Sequence, residues 1–206
     1  MRKDKKERKE SSIEGKAELL SGMAEAEKAL LELQSRKDVV DQLARDIIRL
    51  SGKAVVLVHN KKTGEAQALM QQAKKKVLKL CKLDSGLEYY SLQAKQEYVE
   101  AFAFIVFASQ RRLIAPGEAG VGYLAYLLGM LDLVGEIKRD AIDALMNKDV
   151  AYAELCYNAI KHIYDSTLPL KFANSIAPDF RRKQDTARIQ LESLANELAG
   201  FERQDM

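Results

Sequence analysis

"RKDVVDQLARDIIRLSGKAVVLVHN", residues 36–60, decides the fold class. Its end carries Val55-Val56-Leu57-Val58, a β-branched run that in isolation would suit a strand. The wider window overrules it. Val40, Leu43, Ile47, Leu50, Ala54 and Leu57 recur at spacings of three and four, the period of a helix with one buried stripe. No other stretch alternates with period two, so an all-α chain is expected.

The same reading extends outward in both directions. Upstream, "KAELLSGMAEAEKALLELQ" (16–34) favours a helix weakened at Gly22. Downstream, Asn60 to Gly64 breaks the pattern, and Thr63 is placed to cap a helix reaching about Leu83. "LDSGLE" is a turn. A long helix follows from about Glu88 to Ile114, ended by Ala115-Pro116-Gly117, and another starts near Glu118 or Gly122 and runs to about Met146. "VAYAELCYNAIKHIYDSTL" supplies a further helix. After a stretch bracketed by Pro169 and Pro178, a polar helix spans roughly Asp179 to Gly200. The expectation is a bundle of about six or seven helices forming one domain over residues 16–206.

Composition narrows the function classes. No apolar run approaches the roughly 20 residues that span a bilayer. Residues 1–10 hold six basic and three acidic side chains, which is the whole of the +3 net charge. Residues 1–15 therefore read as a charged, flexible arm on a formally neutral body. That arm lacks the apolar core of a signal peptide. Cys81 and Cys156 lie far apart with no C-x-x-C spacing, so neither a zinc site nor a disulfide framework is indicated. A reducing, cytoplasmic location is the default expectation.

Two short stretches carry the chemistry. In "QEYVEAFAF" (96–104), Glu97 and Glu100 are three apart and share a helix face that continues to Phe104, Phe107 and Arg111. In "LLGMLDLVGEIKRD" (127–140), Asp132 and Glu136 are four apart, on a face running from Ala125 and Gly129 to Arg139. Gly129 and Gly135 each cost helix propensity and suggest a neighbouring backbone at close range. Helices joined by a short Pro-Gly turn would pack antiparallel, and the four acids would converge. Converging carboxylates raise one another's pKa or demand a cation, and an oxygen-rich set without His or Cys suits Mg²⁺ or Mn²⁺. Such an ion can activate water and clamp a phosphodiester. By spacing alone, ordinary ion pairs or an exposed face are the commoner reading of four such acids. Di-iron chemistry is disfavoured, because neither His59 nor His162 completes a Glu-x-x-His pair.

"QEYVEAFAF", "LLGMLDLVGEIKRDAIDALMNKD" and "LARDIIRLSGKAVVLVH" together resemble the translin family, in particular its translin-associated factor X branch, over roughly residues 36–200. The resemblance implies a translin-like all-α fold and assembly into a closed hollow octamer that binds single-stranded RNA or DNA. It further implies a Mg²⁺-dependent endoribonuclease. Glu97 and Glu100 match the family's Glu-x-x-Glu, and Asp132 and Glu136 its Asp-x-x-x-Glu. Glu97, Glu100 and Asp132 would be the ion ligands, and Glu136 would complete the shell or position water. A single chain with all four acids suggests a homo-oligomer of the archaeal type. A translin-like binding protein without nuclease activity is the alternative.

Phosphate contact needs cations. Arg49, Lys53, Arg111 and Arg139 are the candidates, whereas Lys74, Lys75, Lys76 and Lys79 read as a solvated face. Tyr89 and Tyr90, near a helix start, read as core or interface residues rather than stacking platforms. His59 and His162 read as structural histidines, and Cys156 as a small buried apolar residue.

Overall fold

The computed structural model describes residues 15–202. The charged arm, apart from Gly15, lies outside them. Among the described residues there are seven helices and no strand, as the periodicity requires: α1 (Lys16–His59), α2 (Thr63–Leu83), α3 (Glu88–Gln110), α4 (Pro116–Ala119), α5 (Tyr123–Met146), α6 (Val150–Thr167) and α7 (Phe180–Glu202). No helix among them is long and apolar enough to cross a membrane.

The first two helical stretches are one. α1 runs 44 residues, about 66 Å, because nothing between Gln34 and Arg36 breaks it and Gly22 stands in open space. Its stripe from Val40 to Ala54 is buried as expected, but the last buried residue is Val58, with Leu57 only half-buried. Residues 16–34 behave differently. There Leu19, Leu20, Met23, Leu30 and Leu31 stay exposed, on a part of α1 that continues beyond the core.

Lys61 adopts a positive φ of 62°, so the chain reverses before Thr63, which becomes the first residue of α2 rather than its cap. α3 stops four residues short of the expected Ile114. Arg111 takes a left-handed φ of 58° and closes the helix with a bond from its N–H to the Phe107 carbonyl.

α1 packs on α2 and α3, α3 on α5, and α5 on α6 and α7. The expected antiparallel pairing of α3 and α5 is not what forms. A Cβ on Gly129 would stand 2.7 Å from the Gln96 carbonyl oxygen and 2.7 Å from the Val99 Cβ. One step on, His59 spans Phe104 and Glu136; further still, Tyr152 spans Phe107 and Asp140. These contacts advance along both helices together, so α3 and α5 run in the same sense. Residues 111–122, with α4, carry the chain back between them. α7 follows α5 in the same way: Lys183 meets Asp132, Gln190 faces Gly135, and Lys138 reaches Ser193 and Glu197. Gly129 is thus the close approach that the sequence suggested. Gly135 is not, since a Cβ there would meet only the Gln190 side chain at 3.7 Å.

Candidate functional site

Same-sense packing still brings the acids together, through a different register. Glu97 and Glu100 lie halfway along α3, and Asp132 lies one turn beyond the Gly129 contact on α5. All three line an open cleft of about 860 Å³ between α3, α5 and the start of α7. Its other walls include Tyr89, Tyr90, Gln93, Gln96, Arg182 and Lys183.

Both oxygens of Asp132 are engaged. Gln96 donates its amide to Oδ2, and the Lys183 ammonium sits on Oδ1. Among the described residues neither glutamate has an ion-pair partner of its own. Burial pushes the Glu100 carboxyl up to about 8, and the negative charges of Asp132, Glu97 and Glu136 add to the shift, against a smaller opposing pull from Lys183. Glu97 is raised for the same leading reason, burial, with Asp132 next; a hydrogen bond with Gln93 opposes it. The cleft therefore holds more carboxylate than its one ammonium neutralises.

Glu136 does not line the cleft. Its Oε2 lies 2.6 Å from Nε2 of His59, whose ring packs at 4.9 Å from Phe104. Its charge still reaches both glutamates. His59 is thus buried and structural, as expected, and its partner is the fourth acid. Sequence carried no signal for this, because 77 residues separate the partners.

The expected phosphate contacts stand elsewhere. Arg49, Lys53 and Arg139 are exposed and do not line the cleft. Arg49 pairs with Asp46 on its own helix. Arg111 is turned by its left-handed backbone so that its guanidinium lies 3.9 Å over the Tyr152 ring. The cleft's cations are Arg182 and Lys183 in the first turn of α7, a segment in which no binding residue was expected. Arg182 has Asp179 as a partner at 3.0 Å. Tyr89 and Tyr90 are not core. Tyr89 is 87% exposed and packs edge-on against Tyr90 at 5.6 Å, both on the cleft wall. Tyr98, by contrast, is buried. His162 is exposed, and Cys156 is fully buried as expected.

The donors suit a hard divalent ion. Three carboxylates with unbalanced charge and half-open access are the groups such an ion takes, and Lys183 occupies the place of a counter-charge. Glu97, Glu100 and Asp132 would hold it once their side chains close in, because as they stand their oxygens do not all lie within 4.8 Å of one another.

Comparison with known proteins agrees with this architecture. The sequence model of the translin family matches residues 35–195. An uncharacterized protein of Methanocaldococcus jannaschii is 23% identical over 178 residues, covering 84% of this chain and 79% of that protein. Among solved structures, AfC3PO in complex with duplex RNA superposes with a TM-score of 0.82 at 26% identity. A second structure, the crystal structure of AfC3PO, gives 0.80 at 27%. Each of these two covers 87% of this chain and 96% of its own. With a family match spanning most of its length and a fold shared throughout the bundle, this chain belongs to the translin family.

Proposed function

We propose that the chain is a subunit of a metal-dependent endoribonuclease that binds and cuts single-stranded RNA within a hollow homo-oligomer. One observation carries the reading: Glu97, Glu100 and Asp132 face Arg182, Lys183 and two accessible tyrosines across one cleft. Acids alone would suit an ion pair network, and cations alone a binding surface. Both together suit a phosphodiester held against a metal-binding wall.

In this reading Arg182 takes a backbone phosphate, and Tyr89, the more exposed of the pair, stacks on a base. Lys183 holds Asp132 in place until that carboxylate is needed as a ligand. Glu136, fixed by His59, stands behind Glu100 and adds negative charge to it. Glu100, with its pKa near 8, keeps a proton at neutral pH until a positive charge draws the carboxylate out. A bound Mg²⁺ or Mn²⁺ would supply an activated water and neutralise charge on the phosphate.

Family membership supports the oligomer, proposed as an octamer with the clefts facing inward; a cytoplasmic setting goes with it. A second reading, RNA binding without cleavage, is favoured by the ion pair already formed between Lys183 and Asp132. The AfC3PO complex contains duplex RNA, so both strand forms belong in the assay. Labelled single-stranded and duplex RNA are incubated with the protein and Mg²⁺, beside an EDTA arm and Glu100→Gln. Cleavage lost in both controls is expected. Cleavage surviving both would refute the metal site, and tight binding with no cleavage would establish the second reading. Light scattering showing a 23.1 kDa species would refute the oligomer.

A further inference from the structure

We propose a second cation site, separate from the cleft, in which His59, Asp140 and Asp143 hold a borderline divalent ion of the Zn²⁺ or Co²⁺ type. A ring nitrogen of His59 and one carboxylate oxygen from each aspartate all lie within 4.8 Å of one another. The site does not rest on the nuclease reading.

Construction of this cluster differs from that of a surface acid patch. The His59 side chain is only 6% exposed. Its Nε2 is taken by Glu136, while Nδ1 is buried with no hydrogen-bond partner. A buried imidazole nitrogen left unpaired costs free energy unless a ligand completes it. Asp140 is 3% exposed, the most buried acid on α5. Tyr152 donates to its Oδ2 at 2.5 Å, leaving Oδ1 to Lys61 at a long 3.4 Å. Lys61 is three-quarters exposed and sits on the positive-φ turn that ends α1, so it can leave without disturbing the core. Asp143, one turn further along α5, is half-buried.

This donor set points away from the cleft's ion. One imidazole with two carboxylates suits Zn²⁺ or Co²⁺, whereas Mg²⁺ and Mn²⁺ favour oxygen donors. Glu136 on Nε2 and Tyr152 on Asp140 are the outer hydrogen bonds that fix such ligands. An ion there would also set the orientation of the imidazole that holds Glu136.

The test uses the full chain stripped with EDTA and titrated with Co²⁺, read by visible absorption, then with Zn²⁺ in competition. Wild type and Glu100→Gln should give the same Co²⁺ band and the same Zn²⁺ affinity. Asp143→Asn, at a half-buried position and with its fold checked by circular dichroism, should weaken Zn²⁺ by about tenfold or more, and His59→Gln likewise. The proposal is overturned if folded Asp143→Asn keeps wild-type affinity, or if wild type binds neither ion. It is equally overturned if the band vanishes in Glu100→Gln but survives in Asp143→Asn, which would place the ion in the cleft.

Discussion

The ammonium of Lys183, in the first turn of α7, rests on Oδ1 of Asp132, 51 residues earlier on α5. Among the described residues it is the cation bonded to the Glu97, Glu100 and Asp132 set, and it ties α7 to the acid-bearing wall. Replacing it tests both roles. In metal-free protein, Lys183→Met should lower stability by about 2 kcal/mol, since a partly buried carboxylate loses its partner. Chemical denaturation with and without Mg²⁺ checks this: the deficit should shrink when Mg²⁺ is present. A deficit unchanged by Mg²⁺ would mean that no ion takes over from the lysine.

The Glu100 carboxyl provides a pH test with a definite sign. Its pKa is about 8 in the folded chain and 4.5 as a free side chain. Below about pH 4.5 it is protonated in both states and costs nothing. Between about pH 4.5 and 8 the unfolded state ionises while the buried carboxyl keeps its proton, so stability is lost across that window and levels off once the folded state ionises too. Without metal, Glu100→Gln should therefore match wild type at pH 4 and exceed it by about 2 kcal/mol at pH 9, a discounted fraction of the full shift. Urea titrations at the two pH values decide it; a variant less stable at pH 9 contradicts the assignment.

Two glycines on α5 should respond in opposite directions. Gly129→Ala forces a methyl against the Gln96 carbonyl and Val99, so about 2–3 kcal/mol of destabilisation is expected, with α3 displaced from Asp132. Gly135→Ala finds room beside Gln190 and gains helix propensity of up to about 1 kcal/mol. Thermal melts of both variants should fall on either side of wild type.

RNA affinity separates the cleft from the rest of the surface. Tyr89→Ala should leave the melting temperature unchanged and weaken single-stranded RNA by about 1–3 kcal/mol, read by fluorescence anisotropy. Arg182→Ala should reduce the salt slope by about 0.7, one phosphate contact fewer. Arg112→Ala should leave the slope as it is, because Arg112 is held in a two-point pair with Glu118.

What was legible in the sequence was whatever depends on local spacing. The stripe from Val40 to Ala54 specified a helix despite the valine run, and the i,i+3 and i,i+4 acids were placed correctly on inward faces. Gly129 marked a real close approach. What stayed hidden depends on chain path. A Pro-Gly turn suggested a hairpin, but Arg111 leaves the helix early and residues 111–122 return the chain, where Tyr126 fixes the Ile114 carbonyl. That crossover determines which residues meet Asp132. Lys183 and His59 come from 51 and 77 residues away, and no spacing rule relates them to their partners. Arg111 stands over Tyr152 rather than in the cleft because one backbone dihedral turns it there.

Running α3, α5 and α7 in the same sense has an electrostatic consequence that no side chain records. Their peptide dipoles add rather than cancel, and each helix start carries roughly half a positive charge. Tyr89 belongs to the first turn of α3, and Arg182 and Lys183 to that of α7, so both positive ends open onto the mouth of the cleft. The entrance therefore attracts anions through its backbone, with Glu97 and Glu100 about two turns or more further along α3. Stripping the mouth of its basic side chains would leave that gradient standing, built into the direction in which the chain was threaded.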